Sequence, residues 1–394
     1  MKIFVLLSRI PWPLEKGDKL RAFNQLKQLS RQHEIVLCAL NTDKKADKKA
    51  AFRALQPFCK SINFVDLPGI GILLNVIVAW INGRPLQTGY FYNTRAAKSI
   101  DRLIEQHQPD FLYGQLLRVA AYIRKKNIPK AIDYQDVFSM GMKRRLEVSP
   151  WFMKPFLMME YKRLQRFEAA VFEDFDLKTI ISEPDRELIP HPARQEILII
   201  PNGVDHDFFS HYVAEKNYDI VFTGNMAYPP NVNAAAFLAH DIMPIVWKSI
   251  PDASLLLAGA SPDISVRQAA SERVFVSGWM DDIRQAYAQS KVFVAPMRIG
   301  TGLQNKLLEA MSMGLPCVTT SLANKPLKAV PQQEILTGET AVEIAAQLVF
   351  LLQNPIKAME IAGQGNYFVR QKFNWETATN ILSEAIIRTK QKQG

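Results

Sequence analysis

Residues 292–320 read VFVAPMRIGTGLQNKLLEAMSMGLPCVTT. Val292 to Ala295 is a short apolar run of the buried-strand kind, ended by Pro296. Gly300 and Gly302 follow, just before a helix pattern that sets Leu303, Lys306, Leu307, Ala310 and Met311 on one side. Gly314 supplies the stop, and Leu315 opens the next apolar strand. The stretch is therefore strand, glycine-bearing loop, helix, strand. Glycines before a helix let backbone come close to a ligand, and the first amides of the helix have no partner within it. Those amides and the helix dipole favour an anion, phosphate above all. Arg298 and Lys306 add positive charge, and Glu309 is the only acid in the stretch.

The same rhythm extends on both sides. Strands are predicted at 219–223 (DIVFT), 254–258 and 274–277, with turn glycines at Gly224 and Gly278. Helices are predicted at 234–249, 283–290, 340–353 and 356–373. The first half repeats the alternation. Its strands fall at 2–7, 33–40, 62–66, 109–113, 129–134 and 177–181, and 196–201 closes it. An apolar, aromatic segment at 73–92 interrupts that order. Alternating strands and helices predict two doubly wound, parallel α/β domains with a hinge at Asn202-Gly203.

A chain of 394 residues suits two domains. The formal charge of +10 lies entirely in residues 1–205, which hold 32 Lys+Arg against 22 Asp+Glu; the remainder holds 16 of each. That asymmetry points to a membrane surface, a phosphorylated acceptor or nucleic acid, or to a solvated basic face without a partner. The cysteines, Cys38, Cys59 and Cys317, are scattered and read as reduced core thiols, so a cytoplasmic location is expected. No His or Cys cluster stands at metal-ligand spacing, and no metal is expected. The apolar run Gly69–Ile81 is shorter than the ~20 residues a spanning helix needs.

Two tandem domains of this kind are expected to face a cleft at the carboxyl ends of their sheets. Gly17, Gly224, Gly278 and Gly302 all fall at such ends. A ligand with a diphosphate suits the second domain, and a second substrate the first.

Several motifs resemble family 4 retaining glycosyltransferases of the GT-B fold. Ile200-Pro201-Asn202-Gly203-Val204-Asp205 with Phe208 is similar to their interdomain signature. Leu307-Leu308-Glu309-Ala310-Met311 with Gly314-Leu315-Pro316 resembles the second part of their acidic motif, and Phe373-Asn374-Trp375-Glu376 the start of their last helix. Arg9-Ile10-Pro11, Lys16-Gly17-Asp18-Lys19 and Gln304-Asn305-Lys306 look like a bacterial exopolysaccharide branch. The resemblance implies two Rossmann-like domains, 1–203 for the acceptor and 204–372 for the nucleotide sugar. Residues 373–394 would form a helix crossing back to the first. Two departures stand out. The first glutamate of the acidic motif is replaced by Thr301, and the loop after Gly224 and Asn225 carries no cation.

The resemblance further implies sugar transfer from a nucleotide sugar, with retention, to a saccharide or lipid-linked saccharide in cell-surface polysaccharide synthesis. No cofactor is required beyond the donor. Arg298, Lys306 and the amides of Gly302 and Leu303 would stabilise the leaving diphosphate. Glu309 would bond the ribose. Trp279 and Met280, after Gly278, lie where the base is expected, with a core indole the other reading of Trp279. Asp136 either orients the acceptor or donor sugar or caps the next helix. Asp18 is expected to cap the first helix, with the Gly17 amide near the phosphates or acceptor. Peripheral contact with an anionic membrane at the inner face of the cell membrane is expected from the basic half and from the apolar segments 69–81 and 151–159. The competing classes are a non-hydrolysing sugar-nucleotide epimerase and a nucleic-acid-binding protein; for the latter no basic-aromatic stripe is present.

Overall fold

A computed structural model describes residues 1–210, 212–300 and 302–392. The chain forms two units, Met1–Pro201 with Trp375–Gly394, and Asn202–Asn374. The joints lie at 201/202 and 374/375 rather than at 203/204 and 372/373.

In the first unit the apolar runs become seven strands: β1 (Lys2–Leu7), β2 (Glu34–Asn41), β3 (Ser61–Asp66), β4 (Phe111–Gln115), β5 (Lys130–Asp133), β6 (Leu177–Ile180) and β7 (Leu198–Ile199). They pair in parallel in the order β3-β2-β1-β4-β5-β6-β7. A parallel sheet covered on both faces needs apolar residues at successive positions, and β1 shows why. Its Phe4 and Leu6 enter one core, while Ile3, Val5 and Leu7 enter the core of the opposite face. The last helix, Trp375–Gln391, belongs to that second core through Ala378, Leu382 and Ile386. A hydrogen bond of 2.7 Å between His33 Nε2 and Ser383 Oγ fastens it.

The second unit holds β8 (Tyr218–Thr223), β9 (Leu255–Ala258), β10 (Val274–Gly278), β11 (Ser290–Ala295), β12 (Cys317–Thr319) and β13 (Leu336–Thr337). Their order is β10-β9-β8-β11-β12-β13, again parallel. In both sheets the order reverses beside the first strand, between β1 and β4 and between β8 and β11. The connections leave in opposite directions there, so a crevice opens at the carboxyl ends.

One local expectation is corrected. The helix after β11 spans Asn305–Ser312, so Gly302 and Leu303 lie in the loop before it. Gln304 opens the helix and turns its side chain back to the Gly302 carbonyl at 2.9 Å, which holds the loop out of helical geometry. The helix expected at 234–249 is present and starts earlier, running unbroken from Pro229 to Ser249 with a π-helical stretch at Leu238–Ile242. The aromatic segment at 73–92 is helical, as Gly69–Ile81 and Leu86–Phe91.

Candidate functional site

In the second unit the strand-order reversal brings together the loop after β8 and the helix after β11. Lys306, on the first turn of Asn305–Ser312, reaches back to the helix Pro229–Phe237, where its Nζ donates to Asn231 Oδ1 at 2.6 Å. Asn231 in turn donates through Nδ2 to the Asn225 carbonyl at 2.9 Å, fixing the turn after β8. A Cβ at Gly224 would lie 2.7 Å from Asn231 Nδ2 and 3.0 Å from Lys306 Nζ, so only glycine leaves room for this arrangement. One strand over, a Cβ at Gly259 would lie 1.8 Å from the Gly224 carbonyl oxygen, which makes glycine obligatory there as well.

The Lys306 ammonium also sits 4.5 Å from the centre of the Phe222 ring. Burial among these groups pushes its pKa down to about 7, against an upward pull from Glu309. An ammonium has three donors, and among the described residues Asn231 takes one, so two remain for a further acceptor. Three residues on, Glu309 accepts from the Tyr287 hydroxyl at 2.7 Å, and that hydroxyl also meets Thr223 Oγ1 at 2.9 Å. Burial holds Glu309 above the usual carboxylate range, while Tyr287 and Lys306 pull it down. Neutral partners therefore hold both charged groups.

Arg298 is exposed; its Nε donates to Asn233 Oδ1 at 3.2 Å and its guanidinium lies 4.0 Å from the Phe237 ring. Both cations thus lean on the helix Pro229–Phe237. Asn225 is exposed and turns its own side chain to the Ala227 amide at 3.0 Å. Gly278 ends β10 and accepts from the Gly259 amide at 3.1 Å. Trp279 is 63% exposed, so the core-indole reading is corrected: its Nε1 bonds Asp281 at 3.0 Å. Met280 packs on the core of the unit. Thr301 lies outside the described residues.

The remaining candidates belong to the first unit. Gly17 is the first residue of the helix Gly17–Leu29. Asp18 does not cap that helix; it pairs with Arg9 Nη1 at 3.0 Å, because it already lies within the first turn. Asp136 is exposed and accepts from the adjacent Val137 amide at 2.7 Å, while the helix Phe138–Val148 begins without a side-chain cap.

Sequence reading missed Asn231, Tyr287 and Thr223, which are ordinary residues until the fold gathers them. It also passed over two Asp-x-Asp spacings, Asp174/Asp176 and Asp205/Asp207. Asp174 pairs with Arg124 and Lys125, Asp176 accepts from the Lys130 amide, and Asp205 from the Phe208 amide. Among the described residues no group of three metal-ligating side chains forms.

Comparison with known proteins places this geometry. The family model "Glycosyl transferases group 1" matches residues 217–354, which contain the whole Lys306–Glu309 cluster. An uncharacterised 44.6 kDa protein of the cps region of Klebsiella pneumoniae is 20% identical over 390 residues, covering 95% of this chain and 96% of that protein. The UDP-Gal:alpha-D-GlcNAc-diphosphoundecaprenol alpha-1,3-galactosyltransferase of Escherichia coli is 27% identical over 154 residues, 35% of this chain and 39% of that one. Among solved structures, Anabaena HepE in complex with UDP and glucose superposes with a TM-score of 0.69 at 13% identity, over 97% of this chain and 98% of that one. The chain is a glycosyltransferase of the GT-B fold, and residues 217–354 of its second unit match the group 1 glycosyltransferase domain.

Proposed function

We propose that the protein transfers a hexosyl group, with retention, from a nucleotide sugar to a lipid-linked saccharide during assembly of a surface polysaccharide. The observation that carries this reading is the Gly224–Asn231–Lys306–Glu309 cluster at the strand-order reversal of the matched domain. Lys306, Arg298 and the opening amides of Asn305–Ser312 receive the diphosphate, whose negative charge grows as the sugar departs. Gly302 and Leu303 bring the loop backbone close to it. Glu309 accepts from the ribose, and the exposed Trp279 stacks on the base beside Met280. In the first unit Asp136 and the Gly17 loop serve the acceptor. This scheme needs no metal and no cofactor besides the donor.

Two relatives support the acceptor class. One is named for a diphosphoundecaprenol-linked substrate, and the other is encoded in a cps region. A membrane-adjacent acceptor also accounts for the surface of the first unit. Leu73, Leu74, Ile77, Val78 and Ile81 are exposed along Gly69–Ile81. Trp80 stacks on Phe156 at 5.4 Å, with Arg163 5.3 Å from its ring. No described helix is long and apolar enough to cross a membrane, so the contact is peripheral, at the inner face of the cell membrane.

The test is incubation with a panel of nucleotide sugars and a lipid-linked saccharide. Release of nucleoside diphosphate with an α-linked product from an α-linked donor is the expected result. Interconversion of the sugars without release points to an epimerase and rejects the proposal. Sedimentation with phosphatidylglycerol vesicles tests the peripheral contact, which fails if the protein stays in the supernatant at low salt.

A further inference from the structure

Arg118 stands out in the first unit because, among the described residues, no carboxylate forms an ion pair with it, although Asp18 and Asp136 attract it through space. It is the second residue of the helix Leu117–Ile123, just beyond β4 and beside the strand-order reversal. Leu116 immediately before it has φ 68°, a costly conformation for leucine that turns the chain sharply at this point. The guanidinium lies between the rings of Phe91 and Phe138, 5.0 Å from each. Its Nε is buried and has no hydrogen-bond partner, and among the described residues no carboxylate pairs with it.

The neighbouring acids are engaged elsewhere. Asp18 is taken by Arg9 at 3.0 Å, and Asp136 by the Val137 amide. Next to this group is a recess lined by Ser8, Arg9, Asp18, Lys19, Gln115 and Leu116. A guanidinium whose Nε is withdrawn from water and left unpaired is costly, and two aromatic faces do not offset the loss of that hydrogen bond. The rings fix its plane, however, so its donor edge is preorganised for a planar or tetrahedral anion.

The surroundings say which kind of anion. Phe91, one of the two clamping rings, ends the helix Leu86–Phe91, and the half-exposed Tyr90 precedes it. That helix packs tightly on Gly69–Ile81: a Cβ at Gly89 would lie 2.4 Å from the Ala79 Cβ. Gly69–Ile81 is the helix with the exposed apolar face. Unpaired cation, aromatic clamp and the helix with the apolar face thus follow one another through direct packing. We propose that Arg118 binds a phosphoryl group of an isoprenoid-linked acceptor, whose hydrocarbon chain runs along the helices Leu86–Phe91 and Gly69–Ile81. This rests on the reading of the first unit as the acceptor domain.

The test is calorimetric titration of the full chain with farnesyl diphosphate, farnesol and inorganic diphosphate. UDP and GDP are present in excess, so that the donor site of the second unit is filled. The expected result is that farnesyl diphosphate binds, Arg118→Met weakens it at least tenfold, and Arg118→Lys weakens it less. Farnesol is expected to bind feebly and equally to all three proteins. Thermal unfolding of Arg118→Met should begin no lower than in the parent, since an unpaired, partly buried charge has been removed. Equal farnesyl diphosphate affinity in parent and Arg118→Met overturns the site. So does inorganic diphosphate binding as tightly as farnesyl diphosphate, which would assign a free anion instead of a lipid. Nucleotide-sugar turnover is a separate readout. Its absence with farnesyl diphosphate binding intact rejects the transferase reading and leaves the site standing, and the converse result rejects the site alone.

Discussion

The two sheets share a strand order, and each places an ionised pair near its reversal point, yet the pairs are built in opposite ways. In the first unit Arg21 from the helix Gly17–Leu29 meets Asp133 at the end of β5, with Nε to Oδ2 at 2.7 Å and Nη2 to Oδ1 at 3.1 Å. Thr179 adds a third bond to Asp133 at 2.9 Å, and both ionised side chains are fully buried. In the second unit Lys306 and Glu309 sit one helical turn apart but each is held by a neutral group, Asn231 or Tyr287, and each keeps some contact with solvent. The sealed pair joins helix to sheet and has no valence left for a ligand. The open pair keeps unused donors and acceptors. One architecture therefore uses charge as an internal fastening in one copy and leaves it with unused hydrogen-bonding capacity in the other, where the donor site is proposed.

The largest effect expected from this contrast is on stability. Asp133→Ala strands the Arg21 guanidinium in a dry interior and should cost about 3–5 kcal/mol. Denaturant titration followed by circular dichroism checks it. The loss should fall on the first unit, so donor binding measured below the transition should stay close to that of the parent. A loss under about 1 kcal/mol would mean that water reaches the pair, and the distinction between sealed and open charges would fail.

Lys306→Met is the matching change in the second unit, and it should behave in the opposite sense. Removing a charge-assisted bond to the diphosphate should weaken nucleotide-sugar binding by about 1.5–3 kcal/mol, or tenfold and more. Folding stability should hardly fall, because the ammonium is itself poorly solvated. Titration calorimetry and thermal unfolding of one preparation give both numbers. Unchanged donor affinity removes Lys306 from the site.

How much of this was legible in the sequence follows the range of the interactions. The continuous apolar strands and the glycine before the helix are local patterns, so the doubly wound sheets and the position of Lys306 could be read directly. The partners could not. Asn231 lies 75 residues from Lys306, and Tyr287 lies 22 from Glu309. Nothing near either in the chain marks it as polar support. Nothing in the helix pattern around Arg21 names its partner, since only the pairing of β1 with β4 and of β4 with β5 brings Asp133 beneath it. Helix starts were misjudged for a related reason: the bond from Gln304 to the Gly302 carbonyl delays the helix, and a periodicity cannot see it.

The pH dependence is a milder probe of the open pair. Lys306 titrates near 7 in the folded chain but at 10.5 when unfolded, so the unfolded chain holds the extra proton between these values. Stability should therefore rise with pH across that window, and Lys306→Met should abolish that part of the rise. Donor affinity should move the other way. A diphosphate diester keeps both charges throughout, and it binds the ammonium form, so affinity should fall by up to about tenfold per pH unit above 7. Equal donor affinity at pH 6.5 and pH 8.5 would place Lys306 away from the phosphates.

Tyr287→Phe should produce the smallest effect and the sharpest one. The hydroxyl contributes about 1 kcal/mol through its bonds to Thr223 and Glu309, and the ring that remains still packs against Phe293. The fold should thus survive with a modest loss. What changes is the carboxylate. Without the phenolic donor, burial acts on Glu309 unopposed except by Lys306, and its pKa, already raised, should climb further. A protonated Glu309 accepts the ribose hydroxyls less well, so discrimination between ribo- and deoxyribonucleotide donors should shrink, and more so at lower pH. Tyr287 acts here as a positioning residue, and the pH profile of that discrimination separates it from a residue that merely packs. If Tyr287→Phe loses stability while the preference for the ribonucleotide keeps its pH profile, Glu309 is held by the helix alone, and the open pair needs only one neutral support.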